Sequence, residues 1–220
     1  MSEQVQQVVA APWRIPEWFK DLSSDQKNLL KKHFDEVVKH NKILSLISLK
    51  TVQFADAIHF ADSILASRMI LENSSISKIY DLGSGNGLPG VVMAILAPKI
   101  QVILVDKEPK KVEFLKGLIG TLGVKNVQVV HSAIENLPEG SVEVAMARDL
   151  GSIGKVLIST RKLFKKNGRL YHLKSEEWAV EVSEIPSQLC SHWGPSLIGD
   201  YKLPIGAAKF SIVKTEKLTD

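Results

Sequence analysis

The stretch Asp81-Leu82-Gly83-Ser84-Gly85-Asn86-Gly87-Leu88-Pro89-Gly90 decides the fold class of this 220-residue chain. It joins a run typical of a β-strand, residues 78–82, to a run typical of a helix, residues 89–97. Glycines allow positive φ and a close approach of the backbone to a ligand, and a proline is tolerated in the first helical turn. A strand, a glycine loop and a helix in this order are typical of nucleotide-binding α/β proteins.

Short β-rich runs alternate with helical runs after this loop. The predicted strands are residues 78–82, 101–105, 127–130, 142–147 and 168–173, and the predicted helices are residues 89–97, 110–122, 153–164 and 176–187. Strict alternation predicts a parallel sheet with right-handed crossovers. Two further strand-like runs, residues 196–203 and 210–215, flank a turn and predict a final antiparallel hairpin. We therefore expect an α/β, Rossmann-like fold with a mostly parallel seven-stranded sheet.

The segment before the sheet has a helical pattern. Between residues 23 and 50, apolar residues recur at helical spacing, and Ser23 or Ser24 is a plausible N-cap. The polar, serine-rich residues 72–77 are typical of a linker and would connect this helical segment to the main domain. The sequence therefore predicts an N-terminal helical extension over residues 1–75 and a Rossmann-like domain over residues 76–220.

Composition and charge exclude some classes of protein. The longest apolar stretch, residues 91–97, is far shorter than the roughly 20 residues of a membrane-spanning helix, and residues 1–11 lack the features of a secretory signal. We expect a cytoplasmic protein that is not in the membrane, with a monomer as the default. The net charge of +4 favours a polyanionic partner without demanding one. The basic stretch 161–169 is either a phosphate contact or a solvated helix end.

Two cofactors fit the glycine loop. Gly85, Gly87 and Gly90 satisfy the G-x-G-x-x-G dinucleotide pattern, with Asp106 at the end of the second strand. Three features favour S-adenosylmethionine: the carboxylate of Asp81, glycines at 83, 85 and 87, and the terminal hairpin. A carboxylate suits the ammonium group of that cofactor, whereas it would repel a pyrophosphate. The expectation is thus the class I S-adenosylmethionine-dependent methyltransferase fold.

The other candidate cofactor contacts follow from their places on the predicted strands. Asp106 can accept hydrogen bonds from the ribose hydroxyls of either cofactor. Ile134 and Glu135, just past the third strand, could hold the adenine, although Glu135 could equally be a solvated loop carboxylate. Leu88 would line the pocket. Arg148 ends the fourth strand at the edge where open α/β sheets bind ligands, and its alternative role is a salt bridge to Asp149 or Asp81.

From about residue 41 onward the chain resembles the bacterial small-subunit ribosomal RNA guanine-N7 methyltransferases, also called glucose-inhibited division protein B. The resemblance is carried by Asn41-Lys42, His59-Phe60-Ala61-Asp62-Ser63, the glycine loop, residues 104–115, Ala147-Arg148 and Leu173-Lys174. It implies S-adenosylmethionine as the methyl donor and N7 of a guanosine in 16S ribosomal RNA as the acceptor. The partner would be that RNA or an assembling small subunit. By position, the resemblance implies cofactor contacts at Gly83, Leu88, Ile134, Glu135 and Arg148.

The chain departs from the family pattern on the substrate side. Ser45-Leu46-Ile47 stands where the family has Asn-Leu-Thr, and Arg148-Asp149-Leu150 where it has Arg-Ala-Phe. His59 and Asp62 share one predicted helix face, which the resemblance places over the active site; the alternative is a structural pair. One histidine and one carboxylate are too few for a metal site, so we expect none. Lys174, at the end of the fifth strand, suits an RNA phosphate or a structural ion pair equally.

Methylation of guanine N7 requires few catalytic groups in an active site. N7 carries a free lone pair, so no general base is needed, and catalysis reduces to positioning and electrostatics. The target would be an unpaired loop, because the A-form major groove hides N7. Trp13, Trp18 and Phe19 could stack on bases or fasten the extension to the core. Two alternatives stay open: a nicotinamide-dependent oxidoreductase, and a non-catalytic RNA-binding relative.

Overall fold

A seven-stranded sheet organises the computed structural model, which describes residues 11–219. The strands are β1 (Lys78–Leu82), β2 (Gln101–Asp106), β3 (Val127–His131), β4 (Val142–Arg148), β5 (Phe164–Ser175), β6 (Trp193–Lys202) and β7 (Lys209–Lys217). Their order across the sheet is β3-β2-β1-β4-β5-β7-β6. Strands β1 to β5 pair in parallel, and β7 pairs antiparallel with both β5 and β6. The predicted fold class, with its C-terminal antiparallel hairpin, is confirmed.

Helices precede and separate the strands. They are α1 (Ile15–Trp18), α2 (Ser24–Leu44), α3 (Asp62–Glu72), α4 (Gly90–Leu96), α5 (Pro109–Leu122), α6 (Ile153–Thr160), α7 (Trp178–Ser183) and α8 (Ser187–Cys190). A 3₁₀ turn, Val52–Phe54, and a π-helical segment, Asp56–Ala61, lead into α3. In the part of the chain that the structure describes, every helix is too short or too polar to cross a membrane.

The pleat of the central strands divides the core between the two faces of the sheet. Val102 and Leu104 of β2 pack in one cluster with residues of α2 to α5, whereas Ile103 and Val105 pack in a second cluster with α6. Because parallel sheets are covered on both faces, such strands are apolar at successive positions. The first cluster also contains Ile15 of α1, so it crosses the predicted boundary at residues 75–76. That boundary stays a prediction.

Some predicted element ends differ from the structure. The helix predicted over residues 153–164 ends at Thr160, because the chain turns there and Phe164 begins β5. The helix predicted over residues 176–187 is two short helices, α7 and α8, separated at Pro186. Strand β6 begins before the predicted residue 196 and includes Pro195, which an edge strand tolerates because one side of its backbone needs no ladder partner.

The aromatic residues near the N-terminus pack against the core. The Trp13 ring lies 4.9 Å from that of Phe34 and 5.5 Å from that of Phe60, measured between centroids. Phe19 is buried, and the guanidinium of Arg14 lies 4.8 Å from the centre of the Trp18 ring. These contacts favour a structural role for all three residues, in which they attach the N-terminal extension to the core, over stacking on RNA bases.

Candidate active site

The glycine loop bends sharply between β1 and α4 and faces the end of β2. Gly83, Gly85 and Gly87 all have positive φ, of 77°, 51° and 86°. The N–H of Gly85 donates to Oδ2 of Asp106 at 2.8 Å, and the N–H of Glu108 donates to Oδ1 of the same carboxylate at 2.9 Å. Asp106 therefore joins the loop to the next strand at the carboxyl edge of the sheet, where open α/β folds bind nucleotides.

A cavity of about 370 Å³ opens at this junction. Its lining includes the loop backbone and the ends of β2, β3 and β4, namely Gly83, Gly85, Val105, Asp106, Lys107, Glu108, Lys111, Ser132, Ile134, Glu135, Asp149, Leu150 and Ser159. A Cβ built on Gly85 would meet only the carbonyl oxygen of Gly83, at 3.8 Å, so a side chain there would occupy open space in the cavity. A carboxylate, bare glycine backbone and apolar side chains suit a ribose, a compact polar group and an adenine ring.

The four glycines of the loop have two different roles. Gly83 and Gly85 line the cavity, whereas Gly87 and Gly90 leave room for neighbouring side chains. A Cβ at Gly87 would lie 2.9 Å from Cγ2 of Val91, and one at Gly90 would lie 2.4 Å from Cδ2 of Leu104. The last two glycines therefore serve the packing of the loop and α4 against the sheet.

Asp81 and Leu88, two of the predicted cofactor contacts, do not line this cavity. Leu88 is buried in the core, and Asp81 is buried with its Oδ2 accepting the N–H of Gly90 at 3.1 Å. Burial raises the pKa of Asp81 to about 6, and the hydrogen bond from Gly90 opposes that shift. The structure thus gives Asp81 a loop-supporting contact in place of a direct one in this cavity.

A second cavity, of about 390 Å³, lies beside the first at the ends of β4 and β5. It brings together all four predicted catalytic residues and their neighbours: Ile58, His59, Asp62, Arg148, Asp149, Gly151, Leu173, Lys174, Ser175, Glu181 and Phe210. Asp149 lines both cavities, so the two meet at the carboxyl end of β4. Asp149 also has positive φ, 56°, a conformation that is uncommon outside glycine and that clusters at functional sites.

Arg148 is held by an acidic side chain from α3. Its Nη1 lies 3.4 Å from Oδ2 of Asp62 and 3.5 Å from the carbonyl oxygen of His59. Its Nε lies 3.8 Å from Oδ2 of Asp149, which is one of the two salt bridges that the sequence allowed as the alternative role of Arg148. The hydroxyl of Tyr201, on β6, donates to the other carboxylate oxygen of Asp62 at 2.6 Å. Burial raises the pKa of Asp62, while Arg148 and the Tyr201 hydroxyl oppose that shift. The carboxylate therefore connects β6 to β4 and fixes the direction of the guanidinium group.

The π-helical segment shapes this contact. His59 belongs to it, and Asp62 follows directly after it. π-Helical turns are rare and often occur at functional sites. Burial lowers the pKa of His59 to about 3, and the nearby Arg148 adds to the effect. His59 is therefore neutral at physiological pH.

Lys174 forms a structural ion pair in the second cavity. Its Nζ lies 2.7 Å from Oε2 of Glu181 and donates to the carbonyl oxygen of Gly151 at 2.6 Å. The same Glu181 oxygen accepts the N–H of Ile153 at 2.8 Å. Of the two roles that the sequence allowed for Lys174, the structure favours the ion pair.

Several site residues are not apparent from the sequence. Nε2 of His33, on α2, lies 2.8 Å from the carbonyl oxygen of Asn86 in the glycine loop, and burial lowers the pKa of this histidine to about 4. Tyr201 lies 139 residues from its partner Asp62. Leu150 Cδ1 would be 2.9 Å from a Cβ on Gly83, so it covers the loop. Such long-range contacts carry no local sequence signal.

Solved structures with the same arrangement of strands and helices show which fold this is. A SAM dependent methyltransferase from Aquifex aeolicus matches with a TM-score of 0.55 and 17% identity, over 80% of this chain and 97% of that one. The YcgJ protein of Bacillus subtilis matches with a TM-score of 0.55 and 13% identity, over 71% and 99% of the two chains. The fold is that of class I S-adenosylmethionine-dependent methyltransferases.

Sequence comparisons then define the family. The GidB model, rRNA small subunit methyltransferase G, matches residues 26–195. "Ribosomal RNA small subunit methyltransferase G 3" of Bdellovibrio bacteriovorus is 56% identical over 213 residues, which cover 95% of this chain and 96% of the relative. "Ribosomal RNA small subunit methyltransferase G" of Hydrogenovibrio crunogenus is 31% identical over 180 residues, 81% and 80% of the two chains. The chain belongs to the GidB family of rRNA small subunit methyltransferases G, which confirms the resemblance found in its sequence.

Proposed function

We propose that this protein transfers a methyl group from S-adenosylmethionine to N7 of a guanosine in 16S ribosomal RNA. The observation that carries the proposal is the meeting of two cavities at Asp149, at the carboxyl end of β4. One cavity has the features of a nucleotide site, and the other holds Arg148 with its supporting carboxylate. A donor in the first and a base in the second would be neighbours. The substrate would be 16S RNA or an assembling small subunit, in the cytoplasm.

The residues of the first cavity fit the methyl donor. Asp106 would accept the ribose hydroxyls, since each carboxylate oxygen keeps a lone pair beyond its hydrogen bond to the backbone. Ile134 and Glu135 would hold the adenine, and the backbone of Gly83 and Gly85 would face the methionine part. When bound, S-adenosylmethionine supplies an electrophilic methyl group on a sulfonium sulfur.

The second cavity fits an acceptor that needs no deprotonation. His59 is neutral, and the Asp62 carboxylate is engaged by Arg148 and Tyr201. Guanine N7 has a free lone pair, so these residues need only orient the base and tune the local charge. Arg148 would contact the guanine or its phosphate through Nη2, since Asp62 lies against Nη1 and Asp149 lies against Nε.

Substitution of a cavity glycine tests the donor site. We expect Gly85→Val to abolish S-adenosylmethionine binding in calorimetry, because the side chain would intrude into the space that the donor occupies. Gly123→Val is the matched control, since Gly123 also has positive φ, 67°, but has open space around it at the end of α5. Equal donor affinity in the two variants would contradict the assignment. Titration with NAD in place of S-adenosylmethionine tests the oxidoreductase alternative, which predicts NAD binding.

Transfer of tritium from labelled S-adenosylmethionine tests the acceptor. We expect incorporation into small-subunit ribosomal RNA or subunits lacking this methyl group, and none into transfer RNA. Donor binding without incorporation into any RNA would favour the non-catalytic relative.

A further inference from the structure

A further cavity lies at the amino ends of the parallel strands, opposite the end that forms the candidate active site. It measures about 640 Å³ and is lined by Glu139, Gly140, Arg161, Lys162, Phe164, Lys165, Leu189, His192, Trp193 and Lys217. We call it the basic groove. The amino ends of β4 and β5, the start of β6 and the end of β7 meet there. Along β4, the six steps from Val142 to Arg148 span roughly 20 Å, so the groove cannot touch a base held beside Arg148.

The charge in the groove is mainly positive and mostly uncompensated. Arg161, Lys162 and Lys165 are exposed and form no salt bridge within residues 11–219, and Glu139 is the one carboxylate in the lining. Unpaired cations around a concave surface create a positive potential that attracts anions. The basic groove is therefore an anion-attracting surface that the active-site chemistry does not use.

A buried cation forms part of the groove wall. Lys217 is only 8% exposed, yet it has no carboxylate partner within residues 11–219. Its Nζ donates to the carbonyl oxygen of Arg161 at 3.3 Å and lies 5.3 Å from the centre of the Trp193 ring. The fully buried Trp193 also keeps an indole N–H without an acceptor among the described residues. A buried charge without a counter-ion is costly, and an anion in the groove would offset that cost.

An irregularity in the sheet extends the positive surface. Val142 pairs with Phe164 and Val144 with Arg169, so a two-residue step on β4 matches a five-residue step on β5. The extra residues loop out near the amino end of β5 and expose Lys165 and Lys166, and Asn167 in this loop has the left-handed conformation, with φ 67°. A neighbouring cavity shares Lys165 and adds Lys166 and Arg169, with Glu143 as the one carboxylate in its lining. The cations thus continue beyond the groove itself.

We infer that the basic groove binds the phosphodiester backbone of the RNA substrate outside the target nucleotide. This inference rests on the proposed function, because it takes the same RNA as its ligand. A concave surface lined by several cations attracts backbone phosphates, and such contacts position a nucleic acid without reading its sequence. The groove sets the affinity for RNA, while the cavity beside Arg148 sets the chemistry.

The test is a charge-removing triple variant with a matched control. Arg161→Gln, Lys162→Gln and Lys165→Gln together remove three positive charges from the groove. Lys99→Gln, Lys116→Gln and Lys125→Gln remove three exposed charges outside the groove lining, near β2, β3 and α5, which lie at the other end of the strand order from β6 and β7. RNA affinity is measured between 50 and 200 mM salt by fluorescence anisotropy on a labelled fragment of small-subunit RNA, and methyl transfer is measured on the same fragment.

We expect the groove variant to lower the slope of log affinity against log salt by about 2, at roughly 0.7 per lost phosphate contact. Its KM for RNA should rise roughly tenfold, while kcat at saturating RNA and the KM for S-adenosylmethionine stay unchanged. The control should keep the wild-type slope. If the wild type methylates RNA and the two triple variants show equal salt slopes and equal KM values for RNA, the groove inference is wrong while the proposed function stands.

Other outcomes separate the two proposals. RNA binding that depends on the groove, without methylation by the wild type, would support the groove and contradict the proposed function. Competition with inorganic phosphate identifies the source of the anion. If millimolar phosphate binds the wild type but not the groove variant, while both bind RNA equally, the groove is a site for free anions and the RNA assignment is wrong.

Discussion

At the level of single residues, the position of Arg148 depends on side chains that are remote in sequence. Asp62 from α3 accepts a hydrogen bond from Arg148, and Tyr201 from β6 donates to Asp62, because the fold brings these elements together at the end of β4. The sequence singles out Arg148, His59, Asp62 and Lys174 because each is in a motif or at a strand end. The structure places all four around one cavity, and their catalytic roles stay a prediction. The sequence could not predict Tyr201, since nothing local marks a tyrosine near the end of the chain as a partner of Asp62.

Removal of the Tyr201 hydroxyl tests this arrangement. Tyr201→Phe leaves one Asp62 oxygen without its donor, so the carboxylate should hold Arg148 less firmly. We expect kcat for methyl transfer to fall about tenfold, the equivalent of one hydrogen bond to a charged group, with unchanged affinity for S-adenosylmethionine. Single-turnover assays measure the rate of methyl transfer, and calorimetry measures the affinity for S-adenosylmethionine.

Tyr171→Phe is the control for this experiment. Tyr171 is also buried, and its hydroxyl hydrogen-bonds to that of Ser74, away from Arg148. Loss of this hydroxyl should lower the free energy of unfolding without changing the rate of methyl transfer. Equal rates in the two tyrosine variants would contradict a positioning role for Tyr201.

At the level of elements, the helix α2 supports the glycine loop from outside the nucleotide-binding unit. His33 on α2 contacts the Asn86 carbonyl, and the Asn86 side chain donates to the carbonyl oxygen of Leu46 at 3.1 Å. The sequence predicted the strands well, because fully buried parallel strands are short apolar runs with turn residues on both sides. Helix ends after residue 150 were less predictable, because Phe164 continues the apolar spacing of α6 although it lies in β5.

The N-terminal cap of α2 gives a prediction at this scale. The Ser23 hydroxyl accepts the N–H of Gln26 at 3.1 Å, and the Gln26 side chain accepts the N–H of Ser23 at 3.0 Å, which forms a capping box. We expect Ser23→Ala to lower the free energy of unfolding by about 1 kcal/mol in urea titrations. Ser24→Ala, in the first turn, should change it by only a few tenths. The reverse order of the two effects would contradict the cap assignment.

At the level of the whole molecule, buried histidines make stability depend on pH. Burial lowers the pKa of His33 to about 4 and that of His172 to about 3, so both stay neutral when folded. The unfolded chain binds protons at these positions below pH 6.5, and the folded state therefore loses stability as pH falls from 6.5. Asp81 acts in the opposite direction between about pH 4 and 6, since burial raises its pKa.

His172→Gln isolates one of these contributions. His172 lies in β5 with Nε2 2.9 Å from Oγ1 of Thr215, a contact that glutamine can replace. We expect the fall in unfolding free energy between pH 6.5 and 4.5 to be about 2.5 kcal/mol smaller in this variant than in the wild type. The exposed His131→Gln serves as the control and should show the wild-type fall. Identical pH profiles for the His172 variant and the wild type would contradict a buried neutral His172.

We propose that the whole molecule contacts one RNA substrate at both ends of its parallel strands. Methyl transfer takes place at the carboxyl ends, beside Arg148, and phosphate binding takes place at the amino ends, in the basic groove. The most direct test of the central claim is base-level mapping of methyl groups in small-subunit ribosomal RNA from a strain lacking this protein. The mapping is done before and after incubation with the purified protein and S-adenosylmethionine. We predict 7-methylguanosine at a single new position, and its absence with Arg148→Ala. A donor-binding wild-type protein that leaves this RNA unmethylated, or that methylates a different base atom, would contradict the claim.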